Sequence, residues 1–194
     1  MGFFDDLKKS VTNIFNGPAD NTPKNQTKDI VFADIPTSLE ALKATQYGDL
    51  KDPFAVAALW VCATCIFPTD ETTAVEMMNY LKGPDSITPA DVAFIKDRFR
   101  DNKEYKPRSY FVGATPDNDY MPSSPYTIKV TENPYSRDGG EGYLTLWLQS
   151  GGADSMRNIT LRNKPSTGQW FVFSDSYRGL LADIRISKSQ DAWA

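Results

Sequence analysis

Over the first fifteen residues the apolar positions recur at helical spacing. On a wheel of about 100° per residue, Phe3, Phe4, Leu7, Val11, Ile14 and Phe15 fall within a sector of about 120°. Asp5, Asp6, Lys9, Thr12 and Asn13 take the other side, with the acids ahead of the lysines as a helix dipole favours. The pattern predicts an amphipathic helix over residues 1–16, able to dock on its own domain, on a partner protein or on a membrane surface. Asp5 and Asp6 counter Lys8 and Lys9, which weakens attraction to anionic lipid and favours protein docking.

Residues 17–29 hold Gly17, Pro18 and Pro23 in a polar run without apolar periodicity. Burial offers such a stretch little to offset its ordering entropy, so it is expected to be a flexible linker. From residue 30 to 194 the chain reads as a single α+β domain. Thr37 with Glu40 suggests a capping box ahead of LEALKA, and Asp52 followed by Pro53 an N-cap with a first-turn proline. Between Phe54 and Phe67 nearly every residue is apolar, the mark of a helix buried on all sides. Thr69 or Asp70 caps the next helix, with Ala74, Val75, Met78 and Leu81 as its core stripe before Gly83-Pro84. Thr88, Pro89 and Asp91 open another that runs to about Asp101, with Val92, Ile95 and Phe99 facing inward.

After Tyr105 the period changes to two. Tyr126, Ile128 and Val130 alternate with polar neighbours, as do Leu144, Leu146 and Leu148, and then Ile159 and Leu161; Gln169–Ser174 and Asp183–Ile186 read as further strands. The glycine-bearing connections SRDGGEG, SGGADS and NKPSTG suit antiparallel hairpins. The expected fold is therefore a helical N-terminal half packed on an antiparallel sheet from the C-terminal half.

Composition narrows the chemistry. The chain of 194 residues contains no histidine, which removes Ser-His-Asp and Cys-His machinery and His-ligated metal sites. A net charge of -4 lacks the basic footprint of nucleic-acid binding. No positively charged, apolar leader opens the sequence and no run reaches the ~18 to 20 apolar residues of a membrane span, so a cytoplasmic, soluble protein is expected.

The local motifs favour structure over catalysis. Cys62-Ala-Thr-Cys65 lies inside the apolar helix instead of at a helix N-terminus, and without a second ligand pair it reads as core. Asp117-Asn-Asp119 lacks the remaining ligands of a calcium loop, and the glycine pairs match no phosphate-binding pattern. Neither cofactor nor metal is expected. The segment from Lys106 to Tyr126, rich in proline and tyrosine, is either a contact loop or a cover for one sheet face. Taken as a contact surface, it nominates Arg108, Tyr110, Tyr120 and Tyr126, with Tyr135 and Trp170 nearby. Asp183 and Arg185, alternating on an expected strand, are nominated as a polar pair, with Arg157 or Arg162 as neighbours or as a surface ion pair.

The phrases RSYFVGATPDNDY (108–120), SGGADSMRNITLR (150–162), STGQWFVF (166–173) and LLADIRISKSQDAWA (180–194) resemble an uncharacterised bacterial family of unknown function, found mainly in Gram-positive anaerobes. The likeness runs from about Ile35 to the end and includes the opening MGFFDDLKK; family endings carry Pro where this chain has Ser187 and Ala192. The resemblance implies no activity and no site residues. The broad layout is also similar to that of NTF2-like cone folds, an analogy of fold alone.

Taken together, the sequence favours a non-enzymatic binding or adaptor module with a protein partner and no nucleic acid. Its contact elements would be the Tyr/Pro loop and the tethered helix. The alternatives are a His-independent hydrolase using Asp or Glu as acid and base, and a peripheral membrane protein attached through residues 2–15.

Overall fold

The computed structural model describes residues 25–193. The expected helix over 1–16 and most of the linker lie outside the described residues.

The elements run β1 (Gln26–Phe32), α1 (Leu39–Ala44), α2 (Pro53–Ile66), α3 (Glu71–Lys82), α4 (Pro89–Phe99), β2 (Tyr126–Glu132), β3 (Tyr143–Leu148), β4 (Arg157–Lys164) and β5 (Gln169–Val172). Short 3-10 turns interrupt the Tyr/Pro segment and the C-terminal stretch. The fold is α+β, as the two periodicities predict. Four strands follow one another as a meander, β1 adds to the edge beside β2, and every pairing is antiparallel.

Helix starts follow local chemistry. The Asp52 side chain accepts the Phe54 N–H at 3.0 Å ahead of α2, and Asp70 accepts that of Thr73 at 3.0 Å ahead of α3. Thr88 and Asp91 form a reciprocal capping box at α4. At α1 the cap is Ser38, which accepts the Ala41 N–H, and not Thr37: a shift of one residue in the first turn aims Ser38 instead at the open donors. Helix α4 stops at Phe99, and Asp101 and Asn102 beyond it take left-handed backbone angles.

Helix α2 is the centre of the molecule. Every residue from Phe54 to Thr64 is buried, because the helix lies against all five strands on one side and against α3 on the other. Alanines and Cys62 allow these close approaches, while Trp60 fills the space beside Tyr177, with ring centroids 4.5 Å apart. The inward sheet face is continuous through Ile30, Ile128, Val130, Leu146, Ile159 and Leu161.

Two strand expectations also change. β1 begins at Gln26 and so takes in four residues assigned to the linker; only Ile30 and Phe32 of this edge strand are buried, so its outer half carries no apolar signal. Asp183–Ile186 is not a strand. The Arg185 N–H binds the Gly152 carbonyl at 2.9 Å and Asp183 has φ 51°, which turns the chain out of any ladder. Among the described residues no helix is long and apolar enough to cross a membrane.

Candidate functional site

The nominated residues do not converge. Tyr110 and Tyr120 are core side chains whose hydroxyls donate to the Leu180 carbonyl at 2.7 Å and the Arg185 carbonyl at 2.6 Å. Tyr120 also stacks on Tyr105 at 4.9 Å, and burial pushes its pKa up to about 12. The Tyr/Pro segment is thus a cover pinned at its tyrosines. Phe111 bridges to Ile128 and the Val112 N–H to the Thr127 carbonyl, filling the gap where β2 and β3 part.

The other nominated residues are scattered. Arg108 is exposed, Tyr126 packs edge-on against Phe111, and Tyr135 projects from the loop after β2 with 70% exposure. Trp170 packs against the core, and its N–H binds the Leu50 carbonyl at 2.8 Å. Arg185 forms an exposed ion pair with Asp154 at 3.2 Å. Asp183 contributes only its backbone, through a carbonyl that accepts from Arg157. Asn118 and Asp119, from the calcium-like triplet, accept backbone N–H groups of Thr115 and Ser189, as turn residues do.

A different set of residues does converge. On β4, Arg162 and Lys164 share the outward face of the sheet; on β5, Phe171 is the register partner of Arg162 and lies on that same face. Phe173 follows two residues later. Across from this hairpin, α3 ends at Lys82, and the loop Gly83-Pro84-Asp85 turns toward it. The result is a cleft of about 310 Å³ lined by Lys82, Asp85, Arg162, Lys164, Phe171 and Phe173, among others.

Gly83 makes this closure possible in two ways. It has φ +62°, and a Cβ placed there would come within 2.5 Å of the Phe171 ring. The ring can therefore lie flat against the helix end.

The cations are held in distinct ways. Lys82 is 4% exposed, and its ammonium donates to the Ser174 carbonyl at 2.6 Å with the Tyr177 ring 5.7 Å away. Burial depresses its pKa; the neighbouring carboxylates Asp91, Asp85 and Asp175 work in the opposite direction. Arg162 carries its guanidinium 5.5 Å from the Tyr143 ring and 5.9 Å from that of Phe173, while those two rings meet edge-to-face at 5.0 Å. Among the described residues neither Arg162 nor Lys164 has a carboxylate within salt-bridge distance.

Behind Lys82 lies a buried polar knot. Asp91 accepts from the Tyr177 hydroxyl at 2.7 Å, the Thr88 hydroxyl at 2.7 Å and N–H at 3.0 Å, and Arg178 at 3.1 Å. Burial works against the carboxylate, but these donors outweigh it and hold its pKa far below the usual range. A second knot joins the Ser109 and Ser150 hydroxyls at 2.7 Å, beside a Lys106 ammonium that donates to the Leu181 carbonyl at 2.9 Å. Both knots tie the C-terminal stretch onto the helices and the Tyr/Pro cover. Cys62 and Cys65 are free thiols whose pKa values rise through burial, Cys65 to about 12.

Sequence reasoning missed the cleft because its cations come from two segments eighty residues apart. The available signal was the alternation that places Arg162 and Lys164 together, and Phe171 with Phe173, on one face of two adjacent strands.

No curated protein and no solved structure matches the chain. Residues 34–188 match the family model described as a domain of unknown function, DUF6935. That span starts one residue before the resemblance read from the sequence and covers the helices, the Tyr/Pro cover, strands β2–β5 and both walls of the cleft, leaving out β1. The chain therefore belongs to the DUF6935 family.

Proposed function

We propose that this domain is a non-enzymatic binding or adaptor module whose contact site is the cleft between the end of α3 and the β4–β5 hairpin. The observation that carries this reading is the lining itself, in which three cations and two phenylalanine rings face one carboxylate. Such a site can hold a ligand by charge and stacking, and among the described residues its lining has no second acid to pair with Asp85 for proton transfer. The perturbed acid nearby, Asp91, already accepts four hydrogen bonds from three residues that fasten α4 to the C-terminal stretch. The Tyr/Pro segment serves this module as scaffold, and the amphipathic segment 1–16 is its second contact element.

Native mass spectrometry of the full chain, incubated with pooled small organic anions, nucleotides and sugars, tests the reading. The expected result is a complex with a compound whose mass is unchanged after prolonged incubation, and whose retention falls in Phe171→Ala. Turnover of the compound would assign the domain to the hydrolase class. Retention indifferent to Phe171→Ala would remove the cleft from the account.

A further inference from the structure

We propose that the cleft selects a small oxyanion, a phosphate or a carboxylate, carried on a flat apolar body. This rests on the binding reading above and assigns the ligand its chemistry. Lys82 is the anchor. An ammonium has three donors, and among the described residues the only hydrogen bond of the Lys82 ammonium goes to the Ser174 carbonyl, although the residue is only 4% exposed. A buried cation with unused donors lining a cavity is favourable when an anion completes its shell.

Arg162 supplies the second donor group. Its position against the Tyr143–Phe173 ring pair preorganises the planar fork that matches an oxyanion in bidentate fashion. Lys164, exposed on the same strand face, adds attraction at the mouth. The Phe171 ring, held flat by the missing Cβ of Gly83, forms the wall on which an apolar body stacks. Asp85 leaves the lining net positive in a chain of net charge -4, so the positive field is local to this place. A volume of about 310 Å³ lies at the small end of ligand pockets, near 300–1,000 Å³ in general, and excludes large ligands.

Isothermal titration of the full chain with phenyl phosphate, benzoate, inorganic phosphate, benzamidine and benzyl alcohol tests the assignment. Phenyl phosphate or benzoate should bind, whichever is tighter naming the oxyanion, and inorganic phosphate should bind more weakly because it cannot stack. Arg162→Gln, on the solvent face and safe for folding, should weaken the better ligand by about tenfold or more, as loss of a charged hydrogen bond does. Lys82→Met should do the same. Raised ionic strength should weaken binding in wild type more than in Arg162→Gln.

Binding of benzamidine or benzyl alcohol in preference to both aromatic anions, lost in Phe171→Ala, would overturn the oxyanion assignment and leave the binding reading standing. Equal affinity of wild type and Arg162→Gln for phenyl phosphate would also overturn it. Failure of every probe, together with retention of a natural compound that no cleft variant alters, would overturn both.

Discussion

Asp91 caps α4 and also receives Tyr177 and Arg178 from a turn 86 and 87 positions further along the chain. Removing its charge weakens several charge-assisted bonds at once, so Asp91→Asn should cost about 1.5–3 kcal/mol at neutral pH by urea denaturation. The sign with pH follows from the depressed folded-state pKa. The contribution is complete above the ordinary aspartate value near ~3.9 and is lost as pH falls toward the lower folded value. The gap between wild type and Asp91→Asn should therefore narrow below about pH 4. A gap that widens in acid would refute the assignment. At Gly83 the argument is steric: Gly83→Ala should destabilise the fold by about 1–3 kcal/mol and displace the Phe171 ring, weakening any cleft ligand with it.

Elements differ in how openly the sequence announces them. Helices α2, α3 and α4 carry their own punctuation in Asp52-Pro53, Asp70 and Thr88-Pro89, where the cap is a local bond that needs no distant partner. β1 is the opposite case: the polar half of an edge strand gains its stability from pairing with β2, which lies a hundred residues away. Asp183–Ile186 has the alternation of a strand yet finds no ladder. After β5 the chain turns instead into the 3-10 turn Ser176–Leu181, where the Ser176 hydroxyl engages Thr160 of β4. Tyr110 and Tyr120 looked like contact residues because their composition is that of binding loops; their hydroxyls in fact satisfy carbonyls of the C-terminal stretch. The cleft was legible only in halves, one on each side of the helix–sheet junction. For α2 the consequence is chemical: the buried Cys62 should resist thiol-labelling reagents in the native chain and react at the rate of unfolding. Fast labelling at neutral pH would contradict the burial of this helix.

For the molecule as a whole, the edge strand β1 is the first element of the described residues. A chain lacking residues 1–24 keeps all of β1, and its thermal midpoint should fall by less than about 2 °C. A larger drop would show that the opening segment belongs to the core. The same pair of chains should sediment equally with anionic liposomes, since Asp5 and Asp6 offset Lys8 and Lys9; co-sedimentation of the full chain alone would establish membrane attachment. The central claim, that the function lies in a cationic cleft closed by the turn after α3, is tested most directly by residue-resolved NMR. On titrating phenyl phosphate into the isotope-labelled full chain, the amides of Gly83, Arg162 and residues 171–174 should shift together and saturate. Shifts centred on the Tyr/Pro segment, or none at all, would contradict it.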